Sequence, residues 1–384
     1  MKIGVWLVGA RGSVATTVVT GAAALRAGLA APVGCVTAGA DFAEAGLPPL
    51  DTLVFGGHDI SSTPLPKRAE ELSRAGVVPP PLADLVRHEL EAADAEIRPG
   101  LASGVPREDE TQAALAQALI RDITDFRDRL GLARVVVIHV ASTEPPVAPH
   151  PAHQSLEALT AALETPGAAV LPPSSLYAYA ALSAGCSYID FTPSTGAWLP
   201  ALDELANARA VPYAGRDAKT GETLLKTALA PMFAARALAV RSWSGTNLLG
   251  GGDGATLADP AAGESKKISK ERALPAILGY AVEGQTHIDN VAHLGDWKTA
   301  WDHITFEGFL GVRMSMQFTW QGCDSALAAP LVLDLARLLA RAHERGHAGA
   351  VEELGFFFKD PVATDEHRLQ VQYDLLRAWA GKLA

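Results

Sequence analysis

The sequence predicts an α/β protein with a parallel sheet, because short apolar strands end in polar turns and alternate with helical stretches. The first strand, from Ile3 to Val8, leads through a Gly-rich turn into the helical segment TTVVTGAAALRAGL. Two later runs, Arg134 to Val140 and Tyr188 to Phe191, have the character of buried parallel strands. At 384 residues the chain is too long for one ordinary core, so two domains are expected.

The composition is that of a soluble globular protein, with 48% hydrophobic and 20% charged residues. A net charge of −11 without a basic stripe argues against a nucleic-acid surface. The apolar runs are short or broken by Gly and Pro, and no secretory signal is visible, so we expect no membrane partner and a cytoplasmic location. The widely spaced Cys35, Cys186 and Cys323 are expected to be buried, reduced thiols.

The turn after the first strand is a candidate phosphate cradle. Gly9 and Gly12 permit a tight turn, and a helix N-terminus can hold a pyrophosphate with its free amides. The spacing is GxxG rather than GxGxxG and also occurs in plain βα units, but the order strand, turn, helix favours dinucleotide binding. The candidate cofactor residues here are Gly9, Ala10, Arg11, Gly12, Ser13 and Val14.

An acidic residue for the cofactor ribose is expected after the second strand. We predict that strand at VGCVT, where Thr37-Ala38-Gly39 follows and the acid is missing. The nearest replacement is Asp59 in the segment FGGHD, although spacing alone favours a turn for His58 and Asp59.

Polar residues follow two other predicted strands. The carboxyl ends of strands in open α/β sheets meet at the ligand-binding edge, so these residues are placed to touch the cofactor. Turn formation and helix capping would explain each Ser or Thr singly. The residues concerned are Ala141, Ser142, Thr143 and Glu144 after one strand, and Thr192, Pro193 and Ser194 after the other.

The segment from Arg241 to Lys270 combines a Gly-rich turn around Asp253 with a cluster of lysines. The chain has 10 lysines against 22 arginines, and six of the ten lie between Lys219 and Lys298. Lys can lose its proton when buried whereas Arg cannot, so the cluster indicates phosphate binding and proton transfer. The competing interpretation is a solvated helix face over Ser265 to Leu278.

Several isolated residues allow two interpretations. Lys298 lies between two tryptophans, either as a snorkelling surface residue or as a desolvated acid–base group. Capping explains Thr220, Thr223 and Asp324, but not Asp217 and Lys219 two positions apart. A lone Lys359 after an apolar run is typical of a solvent-facing residue.

Taken together, the motifs resemble those of the inositol-3-phosphate synthase (myo-inositol-1-phosphate synthase) family, most closely its short archaeal-type members or a cyclitol phosphate synthase paralogue. The resemblance covers nearly the whole chain. It implies an NAD-binding Rossmann-type domain with an inserted α+β catalytic and oligomerisation domain. The implied boundaries are 1–226 for the first part of the Rossmann domain, 227–322 for the inserted domain and 323–384 for the returning segment. The matching segments are VWLVGARGSVATT, FGGHD, VASTEP, LYAYAAL, FTPSTG, DAKTGETLLKT, NLLGGGDG, ESKKISK, DWKTAWD, FEGFLG, AAPLVLDLAR and FFFKDP.

The resemblance also implies a redox-neutral cyclisation of glucose 6-phosphate to inositol 3-phosphate. The hydroxyl at carbon 5 is oxidised with NAD+, an enolate at carbon 6 attacks the carbon 1 aldehyde, and the product is reduced by the same NADH. It implies proton transfer and oxyanion stabilisation by Lys266 and Lys298, and binding of phosphate and reacting oxygens by Lys270 and Lys359. Polar partners would be Asp217, Asn247, Asp253 and Asp324, with Asp217 also near the cofactor and Asp59 on the ribose.

Two departures from the family pattern bear on the substrate. Gly245-Thr246 stands where Ser-Tyr is usual, and Gly251-Gly252 replaces a polar pair. These smaller side chains keep open a paralogous activity that makes a five-membered cyclitol phosphate from fructose 6-phosphate. A catalytically silent NAD-binding protein and a simple dehydrogenase are two further hypotheses. The resemblance also implies a homotetramer and leaves a divalent metal open as a second cofactor.

Overall fold

The structure is a computed structural model that describes residues 1–250 and 273–384. Its larger sheet is parallel and seven-stranded, in the order β11-β6-β5-β4-β1-β2-β3. The strands are β1 Ile3–Val8, β2 Leu53–Asp59, β3 Ile97–Pro99, β4 Arg134–His139, β5 Ser187–Asp190, β6 Pro212–Ala214 and β11 Gly349–Ala350.

The smaller sheet is four-stranded, in the order β10-β9-β7-β8. It is mixed, because β7 pairs parallel with β8 and antiparallel with β9, which pairs antiparallel with β10. Its strands are β7 Ala239–Leu249, β8 Thr286–Asn290, β9 Trp297–Glu307 and β10 Arg313–Cys323. The adjacent strands β9 and β10 form an antiparallel hairpin.

Helices cover both faces of the larger sheet and one face of the smaller sheet. They are α1 Ser13–Arg26, α2 Leu65–Arg74, α3 Pro80–Leu85, α4 Arg87–Asp94, α5 Gln112–Arg129, α6 Leu156–Leu163, α7 Pro173–Ser183, α8 Pro200–Ala208, α9 Glu222–Ala235, α10 Ala273–Leu278, α11 Asp324–Glu344 and α12 Leu369–Gly381. Short 3₁₀ turns lie at Val36–Ala38, Ala40–Phe42, Leu50–Thr52, Pro151–Gln154, Ala292–Leu294, Phe309–Gly311 and Glu352–Phe357.

Apolar residues of the parallel strands explain this three-layer arrangement. The strand Ile3–Val8 is buried along its whole length, so successive side chains must be covered on opposite faces. Helices α1 and α11 bury one face, and α5, α7 and α8 bury the other. In the smaller sheet, Phe233 of α9 packs on Trp243 and Ile304. The predicted α/β class with a Rossmann-type parallel sheet is therefore confirmed.

The strand order reverses at the centre of the larger sheet, where β1 lies between β2 and β4. Ligands of open α/β sheets bind at such a switch point, beyond the carboxyl ends of the strands. The three cysteines are free and buried, as predicted, and burial raises the pKa of each thiol to about 12. No helix in the described ranges is both long and apolar enough to cross a membrane.

Candidate active site

A cavity of about 830 Å³ opens at this switch point and extends to Lys298 and Lys359. Its first part is the turn after β1. Gly9 has φ +88°, and a Cβ on it would lie 2.8 Å from the backbone of Ala141, so no other residue fits without strain. Helix α1 begins immediately after Gly12 with no side-chain cap, which leaves its N-terminal amides available to an anion.

The cavity collects most residues predicted to hold the cofactor. Ala10 is the exception, since it is buried beside Gly57 and its amide donates to the His58 carbonyl. The predicted residues that line the cavity are Gly9, Arg11, Gly12, Ser13, Val14, Asp59, Ala141, Ser142, Thr143, Thr192, Pro193 and Asp217.

Asp59 is the last residue of the second strand, so the predicted assignment of that strand to VGCVT is wrong. Residues Val36–Ala38 form a 3₁₀ turn instead. The acid is present, but it lies later in the sequence than usual because a long segment separates α1 from β2. Its Oδ2 accepts from the Arg11 amide at 2.6 Å and its Oδ1 accepts from the Ser61 amide at 2.6 Å. The carboxylate is thereby oriented beside the Gly-rich turn, where ribose hydroxyls are bound in dinucleotide folds.

His58 belongs to the core rather than to a turn. Its Nδ1 accepts from the Trp6 indole at 3.0 Å, so Nε2 carries the proton and faces Asp122 at 3.0 Å. Glu144 lines the same cavity as His58. Its carboxylate accepts from both the amide and the hydroxyl of Ser174, at 2.8 and 2.6 Å, and burial raises its pKa.

Lys359 is buried, so the expectation of a solvent-facing residue is wrong. An antiparallel bridge joins Ala218 to Phe358, and the Lys359 amide donates to the Asp217 carbonyl at 2.7 Å. The side chains then meet, with 2.7 Å between Lys359 Nζ and Asp217 Oδ1. Asp217 has φ +58°, a conformation that costs a non-Gly residue energy and recurs at functional sites. Both side chains line the cavity.

Lys298 lies on β9 and forms an ion pair with Asp324, the first residue of α11. Its Nζ is also 3.0 Å from Thr220 Oγ1, which donates to Asp324 Oδ1 at 2.8 Å. Asp324 and Thr220 therefore bind the ammonium group of Lys298, and the capping explanation is wrong for both. The N-cap positions of α11 and α9 are Cys323 and Gly221, and neither makes a side-chain cap bond.

The tryptophans around Lys298 have a different arrangement from the one its sequence neighbours indicate. Trp301 is 43% exposed and lies on the opposite face of β9, because side chains alternate along a strand. Trp297, the other flanking tryptophan, does line the cavity, and so does Trp320 of the neighbouring strand β10. Asp217 faces the cavity, whereas Lys219 points away and donates to Gln372 of α12 at 2.6 Å.

Two polar groups near the start of α9, one from α9 and one from β10, were not anticipated as site residues. Thr223 Oγ1 and Trp320 Nε1 are buried, line the cavity and have no hydrogen-bond partner among the described residues. They lie beside the uncapped N-terminus of α9, near Lys298. Unsatisfied buried polar groups are costly and rare, so this corner of the cavity is suited to an anionic ligand. The sequence signal was the segment TGET directly before an apolar helix.

Asn247 also lines the cavity, whereas its neighbours Gly245 and Thr246 do not. The remaining predicted residues Lys266, Lys270 and Asp253, with Gly251 and Gly252, lie outside the described residues. Within residues 1–250 and 273–384, no group of three or more His, Cys, Asp or Glu side chains is arranged to hold a metal ion.

A parallel sheet with a phosphate cradle at its switch point, joined to a chamber lined by Lys298 and Lys359, defines an NAD-dependent enzyme. A family model described as myo-inositol-1-phosphate synthase matches residues 3–380. Inositol-3-phosphate synthase 1 of Bacteroides thetaiotaomicron is 34% identical, with 98% of this chain and 93% of that protein covered. The chain belongs to the myo-inositol-1-phosphate synthase family.

The eukaryotic relatives are longer. The chain is 31% identical to the inositol-3-phosphate synthase of Spirodela polyrhiza and to inositol-3-phosphate synthase 1 of Bos taurus, and it spans 64% and 60% of their lengths. The crystal structure of inositol-3-phosphate synthase from Caenorhabditis elegans has the same fold, with a TM-score of 0.87 at 21% identity, covering 100% of this chain and 86% of that one.

Proposed function

We propose that this protein is an NAD-dependent synthase that cyclises glucose 6-phosphate to inositol 3-phosphate. The observation that carries the proposal is the continuity of the cavity, which joins the dinucleotide cradle at Gly9 and Asp59 to Lys298 and Lys359. A redox-neutral cyclisation needs both parts in one enclosed space, because the oxidised intermediate must be rearranged before it is reduced.

NAD supplies the acceptor and donor of the hydride when it is bound. The N-terminus of α1 would hold its pyrophosphate, and Asp59 would accept hydrogen bonds from the adenosine ribose. Only glycine fits at position 9, because a Cβ there would clash with Ala141, and this keeps the turn beside the phosphates tight. Thr143 and Thr192 at the ends of β4 and β5 would complete the cradle.

The substrate phosphate would bind at the start of α9. The helix N-terminus of α9 lies there together with the side chain of Lys298. The same corner contains the hydroxyl of Thr223 and the indole N–H of Trp320. An anion at this position would satisfy both polar groups that lack partners among the described residues.

Among the described residues, Lys298 and Lys359 would transfer protons and stabilise the oxyanions of the enolate and the aldol step. Each has a carboxylate partner, Asp324 and Asp217 respectively. These partners hold the ammonium groups in the wall of the cavity, where developing negative charge on the substrate can be neutralised. Lys266 and Lys270 would complete the set.

We further propose that residues 227–322 form the catalytic and oligomerisation domain, inserted between the parts 1–226 and 323–384 of the NAD-binding domain. The exposed Trp301 face of the four-stranded sheet would contribute to a tetramer. The protein would act in the cytoplasm.

Formation of a five-membered ring from fructose 6-phosphate is not favoured. Gly245 and Thr246 do not line the cavity, so their small size does not by itself enlarge the substrate space, and the curated relatives are inositol-3-phosphate synthases.

The test is incubation with NAD+ and either glucose 6-phosphate or fructose 6-phosphate, with product ring size determined by NMR. We expect a six-membered ring from glucose 6-phosphate and no net NADH; turnover of fructose 6-phosphate alone, or stoichiometric NADH, would refute the proposal. Lys298→Ala should abolish cyclisation with NAD+ binding retained, whereas the exposed Lys382→Ala is the matched control. Assay after dialysis against a chelator decides whether a metal is required.

A further inference from the structure

The space beside Gly245 is filled by carboxylates. A Cβ on Gly245 would lie 3.2 Å from Glu222 Oε1 and 3.1 Å from Asp302 Oδ1, closer than most real Cβ contacts. Asp302 is fixed by the Trp243 indole N–H, which donates to its Oδ1 at 2.7 Å. Because residue 245 has no side chain, the carboxylate of Glu222, in the first turn of α9, fits beside it.

Glu222 forms a buried ion pair. Its Oε1 is 2.6 Å from Lys226 Nζ one helical turn away, and the two side chains are only 2% and 4% exposed. An opposite charge this close favours the charged form of each partner, because neutralising one would leave the other charge unpaired. An ionised carboxylate can only accept hydrogen bonds.

This constraint reaches Asn247, whose Nδ2 donates to Glu222 Oε2 at 2.8 Å. An amide can present either its oxygen or its nitrogen to a neighbour, and the neighbour's chemistry decides which. Since Glu222 accepts only, the Nδ2 end of Asn247 must face it. Both residues line the cavity. With Nδ2 facing Glu222, Oδ1 is the acceptor at the opposite end of the Asn247 amide.

We infer that Glu222 is a positioning residue, which fixes the amide of Asn247 so that its Oδ1 accepts a hydrogen bond from a substrate hydroxyl; the inference rests on the proposed function. Glu222 therefore acts on the reaction through Asn247, and it selects a sugar phosphate with a hydroxyl donor at that place in the chamber.

The experiment is a double-mutant cycle on glucose 6-phosphate cyclisation, with NAD+ affinity and thermal unfolding measured for each variant. Glu222→Gln can donate as well as accept, so the Asn247 amide can turn over. We expect kcat/KM to fall about tenfold or more, the loss associated with a hydrogen bond to a charged group. Asn247→Ala should lower kcat/KM further, and adding Glu222→Gln to that variant should cause no additional loss of kcat/KM.

A swap provides the second variant pair. Asn247→Asp alone places a carboxylate against Glu222 and should be nearly inactive. Adding Glu222→Gln restores a donor facing residue 247 and an acceptor facing the substrate, so the double variant should recover at least part of the activity. A residue needed only for packing would not produce this rescue. The exposed Glu164→Gln serves as control and should match the wild type.

Independent, multiplying losses in the cycle together with no rescue in the swap would overturn the inference. Failure of the wild type to cyclise glucose 6-phosphate would instead refute the proposed function, so the two failures are distinguishable. If Glu222→Gln alone does not fold, the rescue of Asn247→Asp by the same substitution still decides the question.

Discussion

Lys359 and Asp217 are 142 positions apart in the chain, yet 2.7 Å separates Nζ of one from Oδ1 of the other inside the cavity. The backbone bridge between Ala218 and Phe358 brings them together. Because the pair joins the loop before α9 to the segment after the last strand, it couples the integrity of the fold to the placement of a reactive lysine.

Replacing Lys359 by Met should affect both stability and activity. Removing one partner of a buried pair costs about 3–5 kcal/mol, and loss of an acid–base group lowers the rate by about 10²–10⁴-fold. Lys359→Arg keeps the charge, so it should regain much of the stability but little activity, since a guanidinium does not release its proton. Thermal unfolding and steady-state rates measure the two effects; an active, fully stable Lys359→Met would contradict this role.

Asp59 should determine both the affinity for NAD+ and its preference over NADP+. A carboxylate at the end of β2 accepts from the ribose hydroxyls and repels a 2′-phosphate. Asp59→Ala should therefore weaken NAD+ binding about tenfold or more and weaken NADP+ binding much less. Titration calorimetry with both cofactors measures this change, with the exposed Asp51→Ala as control. Equal losses for both cofactors would argue against a ribose contact.

Lys219 should make stability depend on pH. Burial lowers its pKa from 10.5 to about 7, so the folded state favours the neutral amine. Its stabilising contribution is complete above the unfolded pKa of 10.5 and is lost as pH falls toward about 7, where the folded state also binds the proton. The shift corresponds to a few kcal/mol, on the order of 1.4 per pKa unit.

The variant Lys219→Met isolates this effect. In urea unfolding at several pH values from about 7 to about 10, the stability of the wild type relative to Lys219→Met should increase with pH. The difference should become constant below that window. A difference independent of pH would show that the amine is not neutral in the folded protein.

Gly245 should tolerate no side chain. Gly245→Ala pushes a methyl group against the carboxylates of Glu222 and Asp302, and such overpacking costs about 1–3 kcal/mol. Gly21→Ala is the matched control, because nothing lies within 4 Å of its added Cβ in helix α1. The control should be neutral or stabilising by about 0.5–1 kcal/mol. Similar melting temperatures for the two variants would contradict the tight fit at Gly245.

The sequence predicted those parts of the fold that local patterns determine. The strand, Gly-rich turn and helix at the N-terminus follow from periodicity and turn chemistry over about 25 residues. The second strand was misplaced because the segment after α1 is long and irregular, so the acid does not appear at its usual distance. Interpreting FGGHD as a strand end requires knowing that Leu53 pairs with Ile3.

The site was harder to predict because its contacts are distant in sequence. Lys359 looked solvent-facing and Asp324 looked like a helix cap, since neither local pattern reveals the partner that lies across the cavity. Trp301 looked like a neighbour of Lys298, although strand alternation puts them on opposite faces. Family motifs grouped Asp217, Asn247, Asp324 and the two lysines, which all line one cavity, but they gave no account of Glu222.

The bridge between Ala218 and Phe358 has a consequence for the order in which the protein is made. The turn at Gly9 and the strand ending in Asp59 leave the ribosome early, before α11, which packs on the same sheet. The chamber wall holding Asp217 closes only when Lys359, far behind Asp59 in the chain, has emerged. A translation product that ends between α11 and Lys359 would therefore contain the residues of the cradle but lack the lysine that completes the chamber.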